Sequence, residues 1–153
     1  MLRRRGLQAI KALLELALAP TVWHSVNDLA RAQELPAPML EQLMLRLRRA
    51  ELVEARRGRH GGYRLVRPPA AIPLAEILQA VEAAPTTTTA LEPEAEADDP
   101  REEAAADRVT AALERRLQRA LVRELAHISL EDLLYDLHSA RALLSEDGGL
   151  LLG

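Results

Sequence analysis

The chain has no cysteine and no phenylalanine. The first absence excludes disulfides, thiol redox chemistry and thiolate-bound metals. With only one Trp and two Tyr as well, the chain offers few flat π faces, and binding of single-stranded nucleic acid depends on such stacking platforms. No apolar run is long enough to span a bilayer. The basic flank Arg3-Arg4-Arg5 leads into a helix that carries Lys11 and Glu15, not into the unbroken apolar stretch of a secretory signal, so a cytoplasmic protein without membrane attachment is expected. HExxH, P-loop, GxGxxG and nucleophile-elbow patterns are all missing. The four histidines, His24, His60, His127 and His138, form no i,i+4 pair. No metal site, no cofactor and no catalytic group is expected, and the chain does not read as an enzyme.

Leu, Ala, Val and Ile supply nearly all of the 48% apolar content, at helical spacing, which predicts a mainly α fold. The net charge of −3 conceals two opposed halves. Residues 1–68 carry 13 basic and 6 acidic side chains, net +7, whereas residues 69–153 carry 7 and 17, net −10. Such asymmetry suggests one half that meets nucleic acid and one that does not.

Along the chain, Leu7, Ile10, Leu13, Leu14, Ala17 and Leu18 form one apolar stripe on a first helix that Pro20 ends. Ser25, with Asp28 three residues on, predicts a capped start to a short helix with Leu29 and Ala30 inward. Glu34 to Ala37 make a turn, and Pro38 opens a helix to about Ala50 with Leu40, Leu43, Met44 and Leu47 facing the core. Leu52–Arg57 and Tyr63–Val66 read as two strands, with Gly58, Gly61 and Gly62 placed where positive φ is needed. A helix follows Pro73, with Leu74, Ile77, Leu78 and Val81 on one face.

Residues 84–100 hold a run of four threonines, five acids and three prolines, and are expected to form a mobile acidic loop. A long helix is then predicted from about Arg101 to Ala126. Val109, Leu113, Leu117, Leu121 and Leu125 recur on it every four residues, a single stripe that needs a partner surface, and its symmetry mate is the obvious one. Ser129, with Asp132 three on, caps a last helix through Leu133, Leu134, Leu137 and Leu144, and Gly148-Gly149 begins a tail. The expected organisation is a DNA-binding domain at 1–83, the loop at 84–100, a dimerisation helix plus C-terminal helix at 101–146 and a tail at 147–153.

A helix-turn-helix followed by a basic Gly/Arg hairpin is the layout of a winged helix-turn-helix. The detail resembles the Rrf2 family of bacterial regulators, the IscR-, NsrR- and CymR-like proteins. The resemblance rests on Ala12-Leu13-Leu14-Glu15-Leu16-Ala17, Leu40-Glu41-Gln42-Leu43, Leu47-Arg48-Arg49-Ala50-Glu51-Leu52-Val53 and the wing Arg57-Gly58-Arg59-His60-Gly61-Gly62-Tyr63-Arg64-Leu65. It continues through Leu74-Ala75-Glu76-Ile77-Leu78-Gln79-Ala80-Val81-Glu82 and Ile128-Ser129-Leu130-Glu131-Asp132-Leu133-Leu134. It covers about residues 1–83 strongly and 104–138 more loosely. It implies a homodimer with a two-stranded β-wing, long crossing helices, a palindromic operator and, in many members, an iron–sulfur cluster held by three cysteines before the long helix. This chain departs from that pattern. It has no cysteine, and Arg108 and Ala111 stand where cluster-binding members have Cys-x-x-His, so no cluster is expected. The resemblance also implies a glycine where His60 stands and an aromatic where Gln8 stands.

On the third helix, Met39, Glu41 and Gln42 are the candidates for base contact: thymine methyl, cytosine N4 and adenine respectively, with Glu41 favoured by the resemblance. Arg46, with Arg48 and Arg49, is expected at phosphate or in solvent, and Arg3, Arg4 and Arg5 ahead of the first helix are expected at phosphate. Arg57, Arg59 and His60 form a small basic tip suited to the minor groove. Together these residues predict a sequence-specific regulator of double-stranded DNA, a repressor in most of the resembling class, dimerised through Val109, Leu113, Leu117, Leu121 and Leu125. The alternative is a protein-interaction module that works by docking a metabolic enzyme, or a regulator with a small-molecule effector.

Overall fold

Turn chemistry decides where the helices of the first half begin and end. Ser25 Oγ accepts the backbone N–H of Asp28 at 3.1 Å, and so caps α2 (Val26–Gln33). Glu34 then adopts a left-handed conformation (φ 52°) that stops the helix, and Pro36 precedes α3 (Ala37–Arg49), with Pro38 inside its first turn. Only Glu34, Leu35 and Pro36 separate the two helices, the short turn of a helix-turn-helix. The computed structural model describes residues 3–82 and 100–149. Its other elements are α1 (Arg4–Leu18), β1 (Val53–Arg56), β2 (Gly62–Leu65), a 3-10 turn at Pro69–Ala71, α4 (Leu74–Glu82), α5 (Pro100–His127) and α6 (Leu130–Gly149). Residues 83–99, nearly all of the expected acidic loop, lie outside the described residues.

Among the described residues the fold is mainly α with one two-stranded antiparallel sheet, as the sequence predicts. Val53 pairs with Leu65, Glu54 with Arg64, Ala55 with Tyr63 and Arg56 with Gly62. The strands stop one residue short of their expected ends, leaving Arg57 in the turn, where Gly61 N–H donates to Gly58 O at 3.0 Å. His24 adds a one-residue third strand: its N–H donates to Tyr63 O at 3.0 Å and its carbonyl accepts Tyr63 N–H at 2.8 Å.

The largest departure from the sequence pattern is in α1. Leu7 is exposed and Leu14 and Leu18 are half-buried, while Gly6, Gln8, Ala9, Ile10, Ala12, Leu13, Leu16 and Ala17 are buried. The cause is that α1 is central: α2, α3, α4, α6 and β2 all pack on it. A helix surrounded in this way buries most of its circumference, so its outward face is set by the one gap among its neighbours. Gly6 marks a close approach of α4 to α1, since a Cβ there would run into the Leu78 side chain.

Leu40, Leu43, Met44 and Leu47 of α3 and Leu74, Ile77, Leu78 and Val81 of α4 are buried as expected. In α5 the apolar stripe divides. Leu125 joins the core and Leu121 packs against it, but Val109, Leu113 and Leu117 are 69%, 54% and 60% exposed. The junction of α5 and α6 is stitched to the first half by Leu74 N–H to Ile128 O (2.9 Å) and Leu130 N–H to Ile72 O (2.8 Å). α6 runs through Gly149, so the Gly148-Gly149 pair expected to begin a tail lies in its last turn.

Candidate nucleic-acid interface

The N-terminal half of α3 shows solvent Met39, Glu41 and Gln42, because its buried face is already defined by Leu40, Leu43, Met44 and Leu47. Beside it the start of α1 brings up Arg3, Arg4 and Arg5, all exposed. Arg5, Met39, Gln42, Leu43 and Arg46 line one open hollow of about 380 Å³. Four of the residues expected to touch DNA therefore converge from two helices on one surface. Arg46 differs from the others. It is half-buried, and its Nη1 donates to Val81 O at 2.8 Å, so part of its guanidinium ties α3 to the last turn of α4. Arg48 and Arg49 are exposed in the last turn of α3, where positive charge also complements the helix dipole. The end of α4 is tied to the start of α1 as well, since Arg3 N–H donates to Glu82 Oε1 at 3.3 Å.

The wing tip carries the second group. Arg57, Arg59 and His60 are exposed, and neither Arg57 nor Arg59 has an ion-pair partner among the described residues. The tip depends on glycine for different reasons at different positions. Gly58 has φ 108° and Gly62 has φ 143°, a region other residues rarely adopt. Gly61 does not have the expected positive φ; it is needed for space, because a Cβ would lie 2.1 Å from Arg56 O.

Sequence reasoning missed the base of the wing. The guanidinium carbons of Arg64 and Arg56 lie 4.4 and 4.9 Å from the centre of the Trp23 ring. Arg64 also donates through Nε (2.9 Å) and Nη2 (2.6 Å) to Glu54 Oε1, directly across the ladder. Two-residue alternation does place Glu54 and Arg56 on one face of β1. Nothing local in the sequence, however, says that Trp23 covers that face.

The histidines stay apart in their bonding. His24 contacts Ala19 O at 3.2 Å and His127 contacts Arg123 O at 2.7 Å, both local. Among the described residues no three His, Cys, Asp or Glu side chains converge as a metal ion requires. Likewise, among the described residues, no helix is long and apolar enough to cross a membrane.

Comparison with known proteins adds the family. A family model described as an iron-dependent transcriptional regulator, Rrf2, matches residues 2–136. A Synechocystis protein named as an HTH-type transcriptional regulator is 41% identical over 139 residues, 90% of each chain. IscR of Cereibacter sphaeroides is 45% identical over 84 residues, 53% of this chain and 54% of that one. Among solved structures, T. potens IscR superimposes with a TM-score of 0.67 at 28% identity, covering 92% of this chain and 90% of the other. CymR of B. subtilis, the global cysteine regulator, gives 0.64 at 27%, covering 88% and 96%. These relatives are regulators and not enzymes. The iron in the family description does not fit the residues present here, because a cluster of that kind is held by thiolates and the chain has none. With the match running from the arginines at the start of α1 into α6, the chain belongs to the Rrf2 family of DNA-binding transcriptional regulators.

Proposed function

We propose that this regulator is a cluster-free repressor that binds a palindromic operator as a homodimer. The observation that carries the reading is the exposed row Val109, Leu113 and Leu117 on α5, continuous with Leu121 and Leu125 that the core covers. Three large apolar side chains at helical spacing in water call for a partner, and a second copy of the same helix meets them with the same row. Such a pairing presents two α3 helices to major grooves about 34 Å apart, with each wing beside a flanking minor groove. Glu41 and Gln42 then read base edges, Met39 contacts a thymine methyl, and Arg3, Arg4, Arg5, Arg46, Arg57, Arg59 and His60 meet backbone or minor groove. Repression follows from occupying promoter DNA, with no chemical step. No thiolate is available, so binding does not depend on a cluster.

Selection of bound duplexes from random sequence by the purified full chain tests this directly. The expected result is an inverted repeat, bound without added iron and unaffected by chelator. Recovery of a single half-site, or of no sequence above background, overturns the palindrome. On the recovered duplex, Arg57→Ala and Arg59→Ala should each weaken binding to all sequences and lower the salt slope by about one. Glu41→Ala should instead relax base choice, costing about 1–3 kcal/mol on the preferred sequence alone. Equal loss of specificity in all three would refute the division of labour.

A further inference from the structure

We propose that Trp23 is a positioning residue for DNA binding. Its indole is the platform on which the two base arginines of the wing, Arg56 and Arg64, are laid, and this holds the tip where Arg57 and Arg59 can reach DNA. The inference rests on the reading of the wing as a DNA contact and goes beyond it by assigning what aims the wing.

The geometry is a chain of contacts from the helix-turn-helix to the tip. Trp23 immediately precedes His24, whose backbone is bonded twice to Tyr63 of β2, so the indole is anchored at the foot of the hairpin. Above it lie Arg64 at 4.4 Å and Arg56 at 4.9 Å, and the ring is half-buried. Arg56 then reaches forward, its Nη2 donating to His60 O at 2.9 Å, within the tip itself. The residue opposite Arg56 on β2 is Gly62, which offers no side chain to compete for that face. Arg64 is fixed a second time by Glu54.

The four wing arginines therefore divide. Arg56 and Arg64 are engaged with the indole, and Arg57 and Arg59 extend freely into solvent. A two-stranded ribbon is marginal on its own, and its inner face alone packs on the core through Val53 and Leu65. Bracing the outer face restricts the swing of the tip, so less conformational freedom is lost when it enters a groove. The arginine at the bracket is specific: a guanidinium stacks flat on a ring and forks to a carbonyl, and a lysine ammonium does neither in the same geometry.

The test uses the full chain and the duplex recovered from random sequence, measured for wild type, Trp23→Leu, Trp23→Phe, Arg56→Lys and the double variant Arg57→Ala/Arg59→Ala. Trp23→Leu and Arg56→Lys should each weaken binding about tenfold, with the helical circular dichroism unchanged, and Trp23→Phe should recover most of the loss. Arg56→Lys keeps the charge, so its loss reports geometry. Trp23→Leu combined with Arg57→Ala/Arg59→Ala should bind no worse than the double variant, because a wing without its contacts has nothing left to aim. Trp23 is the sole tryptophan, so acrylamide quenching of its fluorescence should rise in Arg56→Lys as the bracket opens. If Trp23→Leu does not fold, Arg56→Lys decides alone, since Arg56 is on the surface. Wild-type affinity in Arg56→Lys, or losses that simply multiply with the tip variants, overturns the bracket while leaving the wing contact in place. Wild-type affinity in Arg57→Ala/Arg59→Ala overturns the wing contact itself.

Discussion

Leucines recur at helical spacing both in α1–α4 and along α5, yet they finish in opposite surroundings. Leu13, Leu16, Leu40 and Leu47 are 0–1% exposed, inside the core, whereas Leu113 and Leu117 are 54% and 60% exposed. The sequence pattern alone does not separate these cases, because spacing reports a face and not what covers it. What separates them is the company each helix keeps. α1 has neighbours on nearly every side, and among the described residues α5 joins the core through Leu125, with Leu121 packed against it. The core is built mostly from the first half and closed by Leu125 and Leu130, whereas the row Val109, Leu113 and Leu117 stays outside it, the row on which the proposed pairing with a second copy rests.

Concentration dependence breaks the comparison most sharply. Leu13→Ala should lower the unfolding free energy by about 2–5 kcal/mol, by the same amount at every protein concentration, because its cavity lies inside one chain. Leu117→Asp should act through association. The urea midpoint should lose its dependence on protein concentration, sedimentation should give a monomer, and operator affinity should fall by about a hundredfold as the two half-sites cease to be linked. A Leu117→Asp protein that still sediments as a dimer would remove α5 as the interface.

Two glutamines sharpen the same contrast at smaller scale. Gln42 is exposed on α3, in the hollow with Arg5 and Met39. Gln8 is 6% exposed on α1, and its Oε1 has no hydrogen-bond partner among the described residues. A buried acceptor without a donor loses its water and receives nothing back, at about 1–3 kcal/mol. Gln8→Met, close in shape, should therefore raise stability by about 1 kcal/mol in urea unfolding and leave DNA binding unchanged. Gln42→Met should do the reverse, leaving stability alone and altering base preference. A loss of stability in Gln8→Met would mean that the amide is satisfied in solution.

The helix-turn-helix and wing were legible because their punctuation is local. Ser25 caps the helix it precedes, Pro36 and Pro38 bracket the start of α3, and Gly58 and Gly62 take the positive φ expected of them. The face of α1 was not legible, because periodicity finds a stripe only where one surface is the partner. Gln8, Ala9 and Leu16 are buried by elements that arrive from far along the chain. The Trp23 platform escaped for the same reason: it links residues 23, 56 and 64, which no local rule connects. Of the candidate contacts, Arg5, Met39, Gln42 and Arg46 were named from unrelated cues and are brought together by the packing of α1 on α3. The second role of Arg46, reaching Val81 O, is a tertiary contact that its place in a basic helix did not announce.

The smallest expected effect concerns the two helix caps, one in each region. At Ser25 the hydroxyl accepts Asp28 N–H, and the bond runs one way. At Ser129 the exchange is reciprocal: the hydroxyl accepts Asp132 N–H at 3.2 Å, and Asp132 Oδ2 accepts the Ser129 backbone N–H at 2.8 Å and its hydroxyl at 2.9 Å. Those last two bonds favour the ionised carboxylate, the backbone N–H first and the hydroxyl second, and hold Asp132 below the ordinary aspartate value of 3.8. A carboxyl depressed in the folded state contributes stability that is fully present above its unfolded pKa and is lost as the pH falls through its folded one. The contribution of this cap should therefore be constant through neutral pH and disappear in acid. The difference in unfolding free energy between wild type and Asp132→Asn should be flat from neutral down to about pH 5, then shrink below 3.8. The cap stands where Ile128 and Leu130 bond Leu74 and Ile72, so its loss should first show as faster amide exchange across that seam, with α2 and α3 unaffected. A difference that persists undiminished at the lowest pH would mean that the ionised carboxylate of Asp132 is not what stabilises this cap.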